Sequence, residues 1–272
     1  MKLGCSTVLF NQLDLYGALQ HISWAGYEGA ELACLGNWAR HIELNTKQSY
    51  ISEIKSTAKK HGLELFGIHT DVGNLPGEDK IKSMTKMFDV AIKLNIPIVI
   101  MHPRGKSNDN EATKWEFECT EKLSKQAEKR GITLAIKAHV GASVYNTVTL
   151  IQMLDVVNSS ALGVAFDPIH FYRAGEDPVK AVLRIGKKIV HVHVRDYPHR
   201  EQPSATPEQQ IPGRGEIDFP KILRSLKDVG YNKAIDTLMI GAFTYPLSRQ
   251  MGIGAETRGY LNRCLQEING SR

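Results

Sequence analysis

Six of the ten histidines, His69, His102, His139, His170, His191 and His193, fall at or near the C-terminal ends of short apolar runs. The runs read LELFGIH, IPIVIMH, TLAIKAH, LGVAFDPIH and KIVHVHVRD. Imidazole exchanges protons near neutral pH and ligates metals, so six at equivalent places point to a polar pocket rather than to isolated rim residues. For any single one of them, a hydrogen-bonded core histidine is the plain alternative.

Alternate residues of a strand share a face. Lys137 therefore points the same way as His139, and His191, His193 and Arg195 share a second face. Placing such groups against packed helices would bury charge at high cost, so the interior mouth of a barrel is the better location. Asp167 and His170 form FDPIH, where a carboxylate at a strand end suits a metal ligand and the histidine suits proton transfer. Glu31, in GAELAC, is a candidate for a substrate hydroxyl, and Trp38 for a pocket wall. Arg104, Arg195, Arg200 and Arg214 are candidates for an anionic group, with Gly213 and Gly215 supplying backbone N–H groups. A structural role stands beside each of these readings.

The elements that must position these groups follow from periodicity. Apolar, β-rich runs lie near 3–7, 29–34, 63–69, 96–102, 133–139, 162–167, 188–195 and 233–240. Helix-like segments lie near 13–25, 47–61, 78–94, 111–130, 146–157, 177–185, 218–229 and 249–268. Gly26, Gly62, Gly131 and Gly230 sit between a helix and the next strand, as helix-ending glycines do. AGYEG, HGLEL, RGITL and VGYNKA echo one another at that point of successive units. Eight β/α pairs in 272 residues predict one (β/α)8 TIM barrel over 1–272, an α/β fold with its chemistry at the C-terminal ends of the strands. The irregular stretch 197–217, rich in Pro and Gln, follows the seventh strand and reads as a lid.

Bulk properties exclude several classes. The net charge of +5 is spread along helices, with no basic–aromatic stripe for nucleic acid. No apolar stretch approaches a membrane span, and MKLGCSTVLF turns polar too soon for a signal peptide. Four scattered cysteines without CxxC spacing read as free thiols in a reducing, cytoplasmic setting.

FDPIH (166–170), HVHVRD (191–196), PGRGEIDFPKILRSLKDVGY (212–231) and AETRGYLNRCLQEI (255–268) resemble the sugar phosphate isomerase/epimerase superfamily, the xylose isomerase-like barrels. The resemblance implies a keto-sugar, cyclitol or related polyol as substrate. It also implies proton abstraction beside a carbonyl, ending in isomerisation, epimerisation or elimination. Members hold a divalent metal with Glu, Asp, His and Glu from strands five to eight. Asp167 and His193 match two ligands, whereas Lys137 and Leu238 stand where the glutamates are expected. Exchanging two carboxylates for a cation and an alkyl group disfavours a divalent ion, so no cofactor is expected; the alternative is a weakly bound Mn, Mg, Co or Zn.

Lys137, with Asp167, His170 and His193, then forms the candidate catalytic set. Its ammonium would polarise a carbonyl, or, with a lowered pKa, act as a base or Schiff-base amine. The alternative is an ion pair with Asp167 that merely fills the metal's place. Glu31, His69, His102, His139, Arg195 and Arg214 form the candidate substrate-binding set. A non-catalytic binding or partner subunit derived from such an isomerase is the second functional reading, and a homo-oligomer is compatible with either.

Overall fold

In the computed structural model, which describes residues 1–36, 39–72 and 75–270, eight parallel strands close into a barrel. They are β1 (Lys2–Ser6), β2 (Gly29–Leu35), β4 (Glu64–Thr70), β5 (Ile98–Met101), β6 (Thr133–Ile136), β7 (Leu162–Phe166), β8 (Ile189–Val194) and β9 (Ala234–Thr237). Closure is explicit, because β1 pairs in parallel with both β2 and β9. The sequence-based expectation of a single (β/α)8 barrel is met. Trp38 lies outside the described residues.

The outer layer holds α1 (Leu15–Trp24), α2 (Gln48–Lys60), α3 (Gly77–Leu94), α4 (Asn110–Glu128), α5 (Thr147–Val157), α7 (Pro178–Ile185), α8 (Phe219–Asp228) and α9 (Leu247–Gly270). Each buries one stripe against the strands, as Ile51, Ile54 and Ala58 of α2 illustrate. Gly26, Gly62, Gly131 and Gly230 all have positive φ, the left-handed conformation that ends a helix without a Cβ clash. Asn95 and Asn158 take the same conformation after α3 and α5.

Two elements were not anticipated. The two-residue β3 (Ala39–Arg40) turns back antiparallel on the end of β2. The short α6 (Pro168–Arg173) starts directly after Asp167, because Pro168 fits the first helical turn and Asp167 Oδ1 caps the Ile169 N–H at 3.3 Å.

Outside the barrel, Lys80 of α3 and Glu116 of α4 form a fully buried ion pair. The second oxygen of Glu116 accepts the Arg104 N–H at 2.9 Å, and Lys80 Nζ lies 5.2 Å from the Trp115 ring centre. This pair ties two neighbouring helices to the loop after β5.

Candidate active site

Two layers of polar side chains fill the barrel interior, the outer one at the C-terminal ends of the strands. The outer layer centres on Asp167. Its Oδ2 lies 2.8 Å from Lys137 Nζ, 3.4 Å from Arg195 Nη2 and 3.5 Å from His170 Nε2. Arg195 Nη2 also approaches His170 Nε2 at 3.2 Å. Lys137, Asp167 and His170 are buried, whereas Arg195, His102 and His139 are half-buried and face the opening.

The inner layer centres on Glu31. Its Oε2 lies 2.5 Å from His193 Nε2 and 3.1 Å from His191 Nε2, and its Oε1 lies 3.7 Å from His69 Nδ1. Asp236 of β9 completes the group, with Oδ2 at 3.2 Å from His191 Nε2. None of these side chains is exposed by more than 2%.

Imidazoles join the layers. Ring centres step from His191 to His193 at 4.9 Å, to His69 at 5.1 Å, to His102 at 4.8 Å, to His139 at 5.1 Å and to His170 at 4.0 Å. His69 Nε2 and His102 Nε2 are 3.0 Å apart, within hydrogen-bond reach.

Burial sets the electrostatics. Burial would raise the Asp167 carboxyl, but the Lys137 and Arg195 cations outweigh it and hold Asp167 well below the usual carboxylate range. Burial pulls the Lys137 ammonium below its ordinary value despite Asp167 beside it. Burial, reinforced by Lys137, lowers His139 to about 4 and His170 well below the ordinary imidazole value. Burial also lowers His193 to about 4, with Glu31 opposing and Lys137 assisting. In the inner layer, burial and repulsion from Glu31 push Asp236 up to about 7. At neutral pH the outer layer therefore offers neutral imidazoles around an ionised Asp167 that faces Lys137 and Arg195.

Ten residues singled out in the sequence converge here: Glu31, His69, His102, Lys137, His139, Asp167, His170, His191, His193 and Arg195. Glu31 sits deeper than a residue meant for a substrate hydroxyl, beneath the mouth and enclosed by imidazoles. Arg214 does not join them. It makes a two-pronged pair with Glu256 on the exposed flank, at 2.9 and 2.8 Å. Arg104 is exposed, and Arg200 lies over the Tyr172 ring at 4.8 Å. Asp236 was missed. Its signal was present, since alternation within the last apolar run places it on the same face as Ala234.

The 197–217 stretch is stapled rather than free. The Asp196 carboxylate accepts the N–H groups of Tyr197, Gly213, Gly215 and Ile217 at 2.8–3.0 Å. Gly213 and Gly215 thus direct their N–H groups to Asp196, not to a bound anion. A Cβ at Gly215 would lie 2.3 Å from the Tyr197 oxygen, so the close approach requires glycine. The Gln210 side chain bridges the loop to Ile240 through both its amide atoms, at 2.8 and 2.9 Å.

A closed barrel with a charged and imidazole-lined mouth defines an enzyme-type α/β barrel. Residues 19–240 match the xylose isomerase-like TIM barrel family, and the chain belongs to it. The rhizopine catabolism protein MocC of Rhizobium meliloti is 31% identical over 248 residues, covering 78% of this chain and 70% of that one. An inosose dehydratase of Clostridium perfringens is 23% identical over 238 residues, covering 78% of each chain. Among solved structures, the IOLI protein with a bound zinc atom superimposes with a TM-score of 0.79 at 18% identity, covering 98% of this chain and 99% of that one. No helix among the described residues is long and apolar enough to cross a membrane.

Proposed function

We propose that this chain is an enzyme acting on a keto-sugar, cyclitol or related polyol by proton abstraction beside a carbonyl. Its relatives include dehydratases and isomerases of such compounds. The observation that carries the reading is the Lys137–Asp167–Arg195–His170 cluster at the barrel mouth, with Lys137 Nζ 2.8 Å from Asp167 Oδ2.

The usual metal of the family does not fit its usual positions here. The Lys137 ammonium sits against Asp167, where a divalent cation would meet repulsion, and Leu238 packs among Val8, Ala33, Leu35 and Ala39, offering no donor. No step is therefore routed through such an ion. Lys137 and Arg195 face the carbonyl oxygen and stabilise the enolate that forms when the neighbouring C–H loses its proton. His170, a neutral imidazole at the same carboxylate, takes that proton, and Asp167 holds Lys137 in place. His193 is held by Glu31 in the layer below, beneath the substrate. Delivering the proton to the former carbonyl carbon, while the hydroxyl on the adjacent carbon gives up its proton to become the new carbonyl, isomerises; returning it to the same carbon from the other face epimerises; and expelling a β-hydroxyl as water eliminates. His69, His102 and His139 line the approach and hydrogen-bond substrate hydroxyls. The enzyme is cytoplasmic, with no nucleic-acid partner.

The test is incubation of the protein with inososes and keto-sugars in deuterated water, following solvent deuterium at the carbon beside the carbonyl. Uptake that disappears in Lys137→Met supports the proposal. Uptake undiminished in that variant overturns Lys137's role.

A further inference from the structure

The inner layer carries chemistry that the outer mechanism does not use. His191 and His193 lie two apart on β8 and project to one interior face. Glu31 enters from β2, and Asp236 stands opposite His193 in the β8–β9 register. His191 Nε2 is 3.1 Å from Glu31 Oε2 and 3.2 Å from Asp236 Oδ2, so Asp236 joins the group through His191. Glu31, His191 and His193 can each turn one donor atom to within 4.8 Å of the others.

At such spacing, ordinary hydrogen bonds would be expected. Yet His191 Nε2, Glu31 Oε1 and both Asp236 oxygens make none, although all are buried. Buried polar atoms left without partners are costly. Within the group only His193 Nε2 and Glu31 Oε2, 2.5 Å apart, are hydrogen-bonded to each other. Ligands around a tetrahedral ion with bonds of ~2.0–2.2 Å stand about 3.3 Å apart, close to the two His191 separations.

We propose that Glu31, His191, His193 and Asp236 form a divalent metal site with zinc as its preferred ion, one layer below the positions where this family usually holds its metal. Two imidazoles favour zinc over magnesium or calcium, and two carboxylates balance its charge. Four protein donors with no solvent access make a closed site, the arrangement of structural zinc. It ties β2 to β8 and β9 across the barrel and holds up the outer layer. This role stands whether or not the outer layer is catalytic.

The experiment refolds the full chain from denaturant with excess zinc or with a chelator, removes free metal and measures zinc content and thermal midpoint. The expected result is about one zinc per chain and a higher midpoint in the zinc-refolded protein. Asp236→Asn and His191→Asn should each cut zinc retention by roughly tenfold or more, while Asp167→Asn leaves it unchanged. For the unsubstituted chain refolded with cobalt, intense visible absorption of a four-coordinate ion is expected, so the site can be read even if a variant fails to fold. No retained zinc and an unmoved midpoint would overturn the proposal and leave shared protons as the glue. Zinc kept by both inner-layer variants, zinc lost in Asp167→Asn, or the weak spectrum of six-coordinate cobalt would overturn it equally.

Discussion

Lys137 Nζ and Asp167 Oδ2 are 2.8 Å apart, and both side chains are withdrawn from solvent. Breaking a buried pair by removing one partner costs more than removing both, because the survivor is stranded as a charge. Lys137→Met should therefore lower unfolding free energy by about 3 kcal/mol, the low end of the range for such pairs, since Arg195 remains beside Asp167. Lys137→Met combined with Asp167→Asn should recover part of that loss. Urea unfolding of the two variants decides it.

On turnover, the same Lys137→Met change removes the cation facing the developing enolate. Loss of such a group costs on the order of 10²–10³ in rate. We expect kcat for the best substrate to fall by that factor, with KM little changed. A fall in KM-related binding alone would make Lys137 an anchor, not an electrophile.

Lys137→Glu together with Leu238→Glu should restore a carboxylate-rich mouth around Asp167 and His193. With the inner layer already loaded by refolding in zinc, calorimetric titration with Mn²⁺ should then show binding at the mouth that the zinc-loaded parent chain lacks, and neither single change should suffice, because each leaves the mouth short of a carboxylate.

Away from the site, Lys80→Met strands Glu116, which has no exposed surface. The expected loss is about 3–5 kcal/mol. Replacing both, Lys80→Met with Glu116→Leu, should return much of it, although the Arg104 N–H then loses its acceptor. Turnover should follow stability only near the unfolding transition.

Removing the Asp196 carboxylate by Asp196→Ala leaves four backbone N–H groups without their acceptor. A loss on the order of 3 kcal/mol is expected, together with new proteolytic cleavage inside 197–217. Mass analysis of limited digests locates the cuts.

The strand and helix alternation was legible because most units end their helix with a residue at positive φ, and Gly26, Gly62, Gly131 and Gly230 are plain signals of it. Asn95 and Asn158 do the same work less visibly. The two-residue β3 carries no periodicity, and Pro168 hid a helix start inside FDPIH. For the site, two-residue alternation correctly grouped His191 with His193. It could not give depth along the barrel axis, so nothing in the sequence set Glu31 apart from the groups above it. Asp236 is a lone acid in an otherwise uncharged run, AIDTLMI, and carries no motif of its own. Arg214 was drawn in by its glycines, but those N–H groups belong to Asp196, and its own fork meets Glu256.

Asp196 directly follows Arg195, so the residue that fixes the long loop's backbone is the chain neighbour of a cation at the mouth. A ligand arriving at Arg195 meets a rim whose backbone is already ordered. Association then loses little chain entropy, and rapid-mixing traces should run as one exponential whose rate rises linearly with ligand concentration, without the plateau that a slow isomerisation of the rim would impose.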